Sequence, residues 1–597
     1  MPFGAELGDE RTVRCRLWAP NASDVSLVLD DSRELEMVGS EGWFEVLTQA
    51  GAGTRYRFRI DHDKLVPDPA SRFQPSGVHE ASEVVDPFVF EWSDHEWRGR
   101  PWNEAVIYEL HVGTFTLEGT FAGAEKKLDY LADLGVTAIE LMPLSSFPGQ
   151  RNWGYDGVLP FAPAAPYGRP DDLKRFISAA HARSLMVFLD LVYNHFGPEG
   201  NYLPLYAPQF FTERHKTAWG PAINFDSAGS AVVREFFIHN ALYWLEEYHF
   251  DGLRLDAVNA MRDESEPQFL LELAEQVRHH LPAERHVHLM LENDDNAAHY
   301  LKRDENSRAQ LYSAQWNDDI HHALHVLVTG ETDGYYSDYA SKPTWQLGRC
   351  LAEGFAYQGD VSLYRDGKTR GQPSSQLPPT CFVSFLQNHD QIGNRALGER
   401  ITQLADAAAI RVALACMLLA PSPPLLFMGE EFGAATPFLF FCDFGPELAL
   451  KVRKGRRAEF SRFAQFNSPE VQARIPDPND EKTFLATKLD WASIKQPSHR
   501  EWLEYYRELL SLRRDEIVPR TDNVATGKAR FEVLGSQAVL VRWAFPDGDL
   551  TLVANFSHDE ISISEELRGR VLYSTTGSAL GNGQKLAPLA AAWLLNE

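Results

Sequence analysis

The chain changes its hydrophobic period twice. In the first hundred residues apolar positions alternate, with Val13, Cys15 and Leu17 set between arginines, then Val25, Leu27 and Leu29, then Tyr56, Phe58 and Ile60. Alternation turns one face of a strand inward and the other to water, and turn-forming "PNAS" and "QAGAG" separate the runs. A small β-sandwich is predicted. The Pro-rich residues 65–77 read as a linker or binding loop, because proline cannot donate to a central ladder.

From residue 105 onward, short apolar runs alternate with stretches of helical period. The candidate strands are "AVIYELHVG", "VTAIELMP", "LMVFLDLVYNH", "DGLRLDAV", "VHLMLEN", "AQWND", "CFVSFLQNHD" and "PLLFMGEEFG". Amphipathic segments at 122–135, 170–184, 230–249 and 406–420 lie between several of them. Eight β-then-α units predict a central (β/α)8 barrel. A doubly wound sheet is the alternative, against which stands the lack of a glycine fingerprint after the first strand. The aromatic-, Pro- and Gly-rich insert between His195 and Ser227 reads as an elaborated loop after the third strand. A helix near 501–515 precedes alternating runs such as "AVLVRWAF" and "LTLVANFS", which predict a C-terminal antiparallel β domain. The expected division is 1–98 for an immunoglobulin-like sandwich, 99–516 for the barrel and 517–597 for the last domain.

Charges interrupt this apolar pattern at particular places. In "GLRLDAV", Arg254 and Asp256 sit two residues apart, so they share one face of a strand while Leu253 and Leu255 take the other. Burying either is costly unless it is paired or used. Asp190, Asn194 and His195 close the third strand, Glu292 the fifth, and His389 and Asp390 the seventh. One buried acid is most often a structural ion pair or a helix cap. Several at strand ends, with an arginine among them, point to a reactive cluster, because barrel loops converge there. Paired carboxylates, one protonated and one ionised, are what glycoside cleavage needs.

These residues also carry a resemblance. "DLVYNH", "GLRLDAVNA", "LEND" and "QNHD" resemble, in order, the four signature regions of the α-amylase superfamily of glycoside hydrolases and transglycosidases, and the likeness covers most of the chain. It implies a retaining mechanism in which Asp256 is the nucleophile and Glu292 the general acid/base. Asp390 would grip the hydroxyls of the distorted sugar. Arg254 would hold Asp256 ionised, with Asp190 its structural partner. Asn194, His195 and His389 would bind the sugar at the cleaved position, and Tyr155 of "NWGYDG" would stack on it. Among superfamily members with such an N-terminal sandwich, "VIYELHVGTFTLEGTF", "TAWGPAINFD" and "LENDDNAA" resemble the group that hydrolyses maltooligosyl trehalose to release trehalose. Branching and isoamylase-type debranching enzymes are the alternative, and a catalytically dead carbohydrate-binding protein is a third reading. Where many members carry Lys-His after the nucleophile, this chain has Asn259-Ala260.

Composition narrows the partners. A net charge of −27 over 597 residues disfavours nucleic acid, which needs clustered cations, but not a neutral sugar. The five cysteines are scattered, with no CxxC pair, and are expected to be reduced core thiols. No basic-then-apolar leader and no membrane-length apolar run occurs, so a cytoplasmic protein without a membrane partner is expected, as monomer or homodimer. No cofactor or metal is expected. His321, His322 and His325 of "DIHHALH" read as solvated or substrate-side residues, and the basic run 451–460 as a solvated loop. Glu430 and Glu431 read as support for the site.

Overall fold

The computed structural model describes residues 1–8, 11–217, 219–460, 468–521, 524–546, 548–563, 567–577, 580–581 and 585–596. Eight parallel strands close the central barrel: β1 (Ile107–Leu110), β2 (Ala138–Leu141), β3 (Met186–Leu191), β4 (Gly252–Leu255), β5 (His288–Leu291), β6 (Ala314–Trp316), β7 (Phe382–Phe385) and β8 (Pro424–Phe427). All eight apolar runs became barrel strands. Side-chain alternation then sorts the strands into two environments. Ile107, Ala138, Phe188, Met290, Trp316, Phe385 and Leu425 fill the lumen, while Leu253 and Leu255 join the larger core under the outer helices. A packed lumen of this kind is a floor, not a pore.

The N-terminal sandwich pairs a sheet ordered Gly4–Leu7, Thr12–Trp18, Trp43–Gln49, Val38–Ser40 with one built around Val25–Leu29 and Arg55–Ile60. Val13, Cys15, Leu17, Leu27 and Phe58 are its buried inner face. Leu65 and Val66 end the strand Lys64–Val66, and residues 67–77 are irregular, but not an exposed linker. Asp68, Ser71 and Gln74 are fully buried, and Tyr56 donates to Asp68 Oδ2 at 2.6 Å. The segment is a wedge between sandwich and barrel. Arg72 lies over the rings of Phe161 and Tyr243 at 5.1 and 4.7 Å.

At the other end, five antiparallel strands run in the order Arg530–Leu534, Ala538–Phe545, Gly548–Asn555, Ala590–Asn596, Arg570–Ser574. Trp543 and Trp593 stack at 5.4 Å, and their indole N–H groups donate to Leu351 O (3.1 Å) and Ala415 O (3.0 Å) of two barrel helices. The predicted helix near 501–515 runs from Pro497 to Leu512 and continues through a π-helical turn, Arg513–Ile517, to Thr521. The basic run 451–460 is not a loop. It lies in the helix Pro446–Phe460, and Arg456 is held by Gly393 O at 2.6 Å and by the Phe440 and Phe460 rings. All five cysteines are free and buried.

Replacing Arg72 with Ala should remove the aromatic contacts of the wedge and destabilise the molecule by about 1–3 kcal/mol, through lost packing more than lost charge. Thermal and urea unfolding will show a lowered transition, with the cleft chemistry of the folded protein intact. An unchanged transition would mean that the wedge is not what couples the two units.

Candidate active site

A cleft of about 780 Å³ opens over the C-terminal ends of the barrel strands. Its floor is set by strand register. Asp190 on β3 lies directly across the ladder from Arg254 on β4, both pointing into the lumen and fully buried. Arg254 Nη1 donates to both oxygens of Asp190, at 2.7 and 2.6 Å, and to Asp256 Oδ1 at 2.8 Å. Its Nη2 lies 2.9 Å from Glu292 Oε2. The guanidinium also sits 4.2 Å from the Trp316 ring centroid, which fixes its plane. A single cation therefore touches three carboxylates.

The other carboxyl contacts are equally specific. Asn194 Nδ2 donates to Asp256 Oδ2 at 2.8 Å and to its backbone oxygen at 2.9 Å. The backbone then turns sharply. Ala257 adopts φ +40°, a left-handed conformation uncommon for a residue with a Cβ, and its N–H donates to Glu292 Oε2 at 2.8 Å. Tyr155 donates to Asp190 Oδ2 at 2.6 Å and stacks on His389 with centroids 5.0 Å apart. His389 Nδ1 meets Glu109 Oε1 at 2.5 Å, while Nε2 lies 3.5 Å from Asp390 Oδ1. Asp390 also accepts from Asn394 at 3.1 Å. His195 contacts Asn194 Oδ1 and stacks at 5.6 Å on Trp219, at the tip of the hairpin Phe211–Thr217/Gly220–Ile223. The insert after the third strand is thus a cleft wall.

Every residue expected at the site is in this cluster, but its electrostatics differ from expectation in one respect. Arg254 does pull the Asp256 carboxyl down, yet burial outweighs it, Asp190 and Asp390 add repulsion, and the net shift is upward. The reason is the sharing of one guanidinium among three acids. Glu292 is also raised, first by burial, then by Asp256, against the pull of Arg254. His389 behaves oppositely. Burial disfavours its charge, but Asp390 and Glu109 overcome this and lift it to about 10, so it is an imidazolium. Burial holds His195 down at about 4, and it stays neutral.

Two lumen acids were not singled out from the sequence. Glu109 on β1 and Glu140 on β2 face each other across the ladder, both about 1% exposed. Glu109 holds His389. Neither Glu140 oxygen has a hydrogen-bond partner among the described residues, and burial followed by repulsion from Glu109 pushes it well above the carboxylate range. It keeps its proton. The available signal was a charge inside an apolar strand, as at Arg254, but without the second charge that stands two residues from Arg254.

Other expected residues settle outside the cleft. Glu431 accepts from Tyr108 (3.2 Å) and Tyr130 (2.8 Å), and Glu430 from Tyr506 (3.1 Å), so both brace the barrel just past the C-terminal end of β8. His321 and His325 are buried, not solvated. Among the described residues, no group of three or more His, Cys, Asp or Glu side chains is placed to hold a metal ion, and no helix is long and apolar enough to cross a membrane.

Glu431 provides a pH test of the brace. Burial raises it from 4.5 to about 7, so the folded state holds a proton that the unfolded chain releases near pH 4.5. Its contribution is full below that pH and is lost as pH climbs to about 7, a swing of order 1–3 kcal/mol. Glu431→Gln keeps the acceptor oxygen without the titration. Melting temperatures across pH 4–8 should fall less steeply in the variant, and parallel curves would refute the assignment.

Comparison with known proteins follows the same outline. Residues 2–89 match carbohydrate-binding module 48 (isoamylase N-terminal domain), 71–207 the α-amylase catalytic domain, and 526–593 a domain of unknown function, DUF3459. The malto-oligosyltrehalose trehalohydrolase of Deinococcus radiodurans is 42% identical over 556 residues, spanning 92% of this chain and 89% of the relative. The protein of that name from Rhizobium sp. is 41% identical over 599 residues, 97% of each chain. A crystal structure from Salmonella typhimurium, described as an alpha amylase, superposes with a TM-score of 0.95 at 44% identity, covering 100% of this chain and 99% of that one.

Proposed function

The chain belongs to the malto-oligosyltrehalose trehalohydrolase family, within the α-amylase group, and from that premise we propose how its cluster works. The enzyme is a glycoside hydrolase that cleaves the α-1,4 bond next to the terminal trehalose of maltooligosyl trehalose, releasing trehalose and a maltooligosaccharide. The observation that carries the mechanism is the Arg254 guanidinium, whose two terminal nitrogens reach Asp256 at 2.8 Å and Glu292 at 2.9 Å. Two carboxyls spanned by one guanidinium are close together. That favours retention, for which they need to stand about 5–5.5 Å apart, over inversion with an intervening water.

In the first step, an Asp256 oxygen attacks the anomeric carbon while the Glu292 proton passes to the glycosidic oxygen. The bond to trehalose breaks, and a glycosyl ester on Asp256 forms. In the second step, Glu292, now a carboxylate, takes a proton from water. That water attacks the same carbon and frees Asp256. Asp390 accepts hydrogen bonds from hydroxyls of the reacting sugar. The His389 imidazolium donates to that sugar, opposite the position where its ring gains positive charge. His195, being neutral, adds hydrogen bonding without charge, and the Tyr155 ring supports the apolar sugar face.

Both shifts in the cluster are upward, so both limbs of the pH–activity bell are displaced toward neutrality. Activity falls below the Asp256 pKa, where the nucleophile is protonated, and above the Glu292 pKa, where the acid is spent. Asp256→Asn should lower turnover by at least about 10⁴-fold, with the fold retained. Glu292→Gln should still form the glycosyl ester from an α-maltooligosyl fluoride, whose leaving group needs no proton, with a first step that lacks the alkaline limb, but its turnover should be slowed at the second step, where the base is missing. Purified protein given maltotetraosyl trehalose should release trehalose, while maltohexaose and amylopectin react far more slowly. Branch transfer or debranching without trehalose would reject the substrate. Full activity in Asp256→Asn would reject the nucleophile.

A further inference from the structure

The helix after β6, Asp318–Thr329, carries the histidine-rich run that the mechanism above does not use. Two of its histidines turn away from the cleft. His321 is satisfied by Leu386 O (2.8 Å) and Tyr336 OH (3.2 Å), and His325 by Glu331 Oε2 (2.8 Å). His322 differs. It reaches the cleft wall, with its ring clamped by Tyr335, Tyr336 and Tyr339 at centroid distances of 5.0, 5.4 and 4.9 Å. Its Nδ1 is buried with no hydrogen-bond partner among the described residues. Such an orphan costs about 1–3 kcal/mol, and folded proteins retain one chiefly where the group has another use.

One turn earlier on the same helix face, Asp318 also lines the cleft, accepting among the described residues only a long 3.4 Å hydrogen bond from Gln391. Side chains four apart on a helix have Cβ atoms about 5–6 Å apart, so the two groups face the cleft side by side. Burial, then Glu292 and Asp294, hold the Asp318 carboxyl well above its usual range. Burial, then His321 and Arg370, hold the His322 imidazole well below its own. A neutral carboxyl and a neutral imidazole supply donors and acceptors without charge, which suits a polyol. Their position relative to the scissile bond follows from Glu292. The acid that protonates the glycosidic oxygen stands toward the leaving sugar, and Glu292 directly follows β5 while Asp318 follows β6, the strand paired with it in the barrel. The loops after β5 and β6 therefore border the leaving side.

We infer that Asp318 and His322 together grip adjacent hydroxyls of the leaving disaccharide and so set the preference for trehalose over maltose as the departing unit. This rests on the trehalose-releasing reading above. The experiment compares kcat/KM for maltotetraosyl trehalose and for maltohexaose, which have equal numbers of glucose units, together with the inhibition constant of free trehalose. His322→Phe and Asp318→Leu should each lower kcat/KM on the trehalose substrate at least tenfold more than on maltohexaose, and should weaken trehalose inhibition in proportion. His322→Gln, which retains a donor and an acceptor, should recover part of both. It also carries the test if the Phe variant fails to fold. Equal losses on the two substrates, or trehalose inhibition unchanged in His322→Phe and Asp318→Leu alike, would overturn the inference. A wild-type enzyme that released no trehalose would instead overturn the reading beneath it.

Discussion

Arg254 is the constraint on which the site depends. It is fully buried, it sits opposite Asp190 in the barrel ladder, and its two terminal nitrogens touch three carboxylates. A buried cation without partners would be strongly unfavourable, and so would three buried acids without a cation. Each makes the other tolerable. Because one charge is divided among three acids, none of them is pulled far down, and Asp256 and Glu292 both end above their ordinary values. A guanidinium is suited to this position because it presents separate nitrogens in one plane, and the Trp316 face holds that plane in place. A lysine would offer one point of charge and could not span two carboxyls.

The rest of the molecule holds that geometry still. Below the charged layer the lumen is apolar, with Phe188, Met290, Trp316 and Phe385 leaving Arg254 no room to retreat. Just past the C-terminal end of β8, Glu430 and Glu431 are tied to Tyr506, Tyr108 and Tyr130, which links barrel strands to outer helices. The wedge at residues 65–77 and the stacked Trp543–Trp593 pair fasten the flanking β units to the barrel wall. These contacts do not line the cleft, but a mechanism that needs two carboxyls in fixed positions depends on them.

Most of the barrel was legible because the lumen and the outer core impose different requirements on alternate residues of each strand. That rule located Arg254, Asp256 and Asp190 from sequence. The same rule applies to Glu109 in "IYEL" and Glu140 in "AIEL", where a single acid in four residues was overlooked because no second charge beside it drew notice. The cleft walls were less legible. Trp219 meets His195, and Val452 and Arg456 border the same cleft, only because distant loops fold back over the barrel mouth. No local period encodes such contacts. The run 451–460 looked solvated for the same reason: its charge density was visible, but the Phe440 and Gly393 partners that hold Arg456 were not.

Glu109 and Glu140 also explain why an acidic lumen can coexist with an ionised nucleophile. The two carboxyls face each other across the β1–β2 ladder, and of the two only Glu109 is hydrogen-bonded to a cation, His389, among the described residues. Were Glu140 ionised as well, its repulsion would act on Glu109 and Asp190, loosening the hold on both His389 and Arg254. Burial without a partner instead keeps Glu140 protonated. It then occupies space in the lumen without adding charge, and the two cations remain available to the carboxylates that face the sugar. The position is therefore a balance point of the cluster, although it touches neither the substrate nor Asp256.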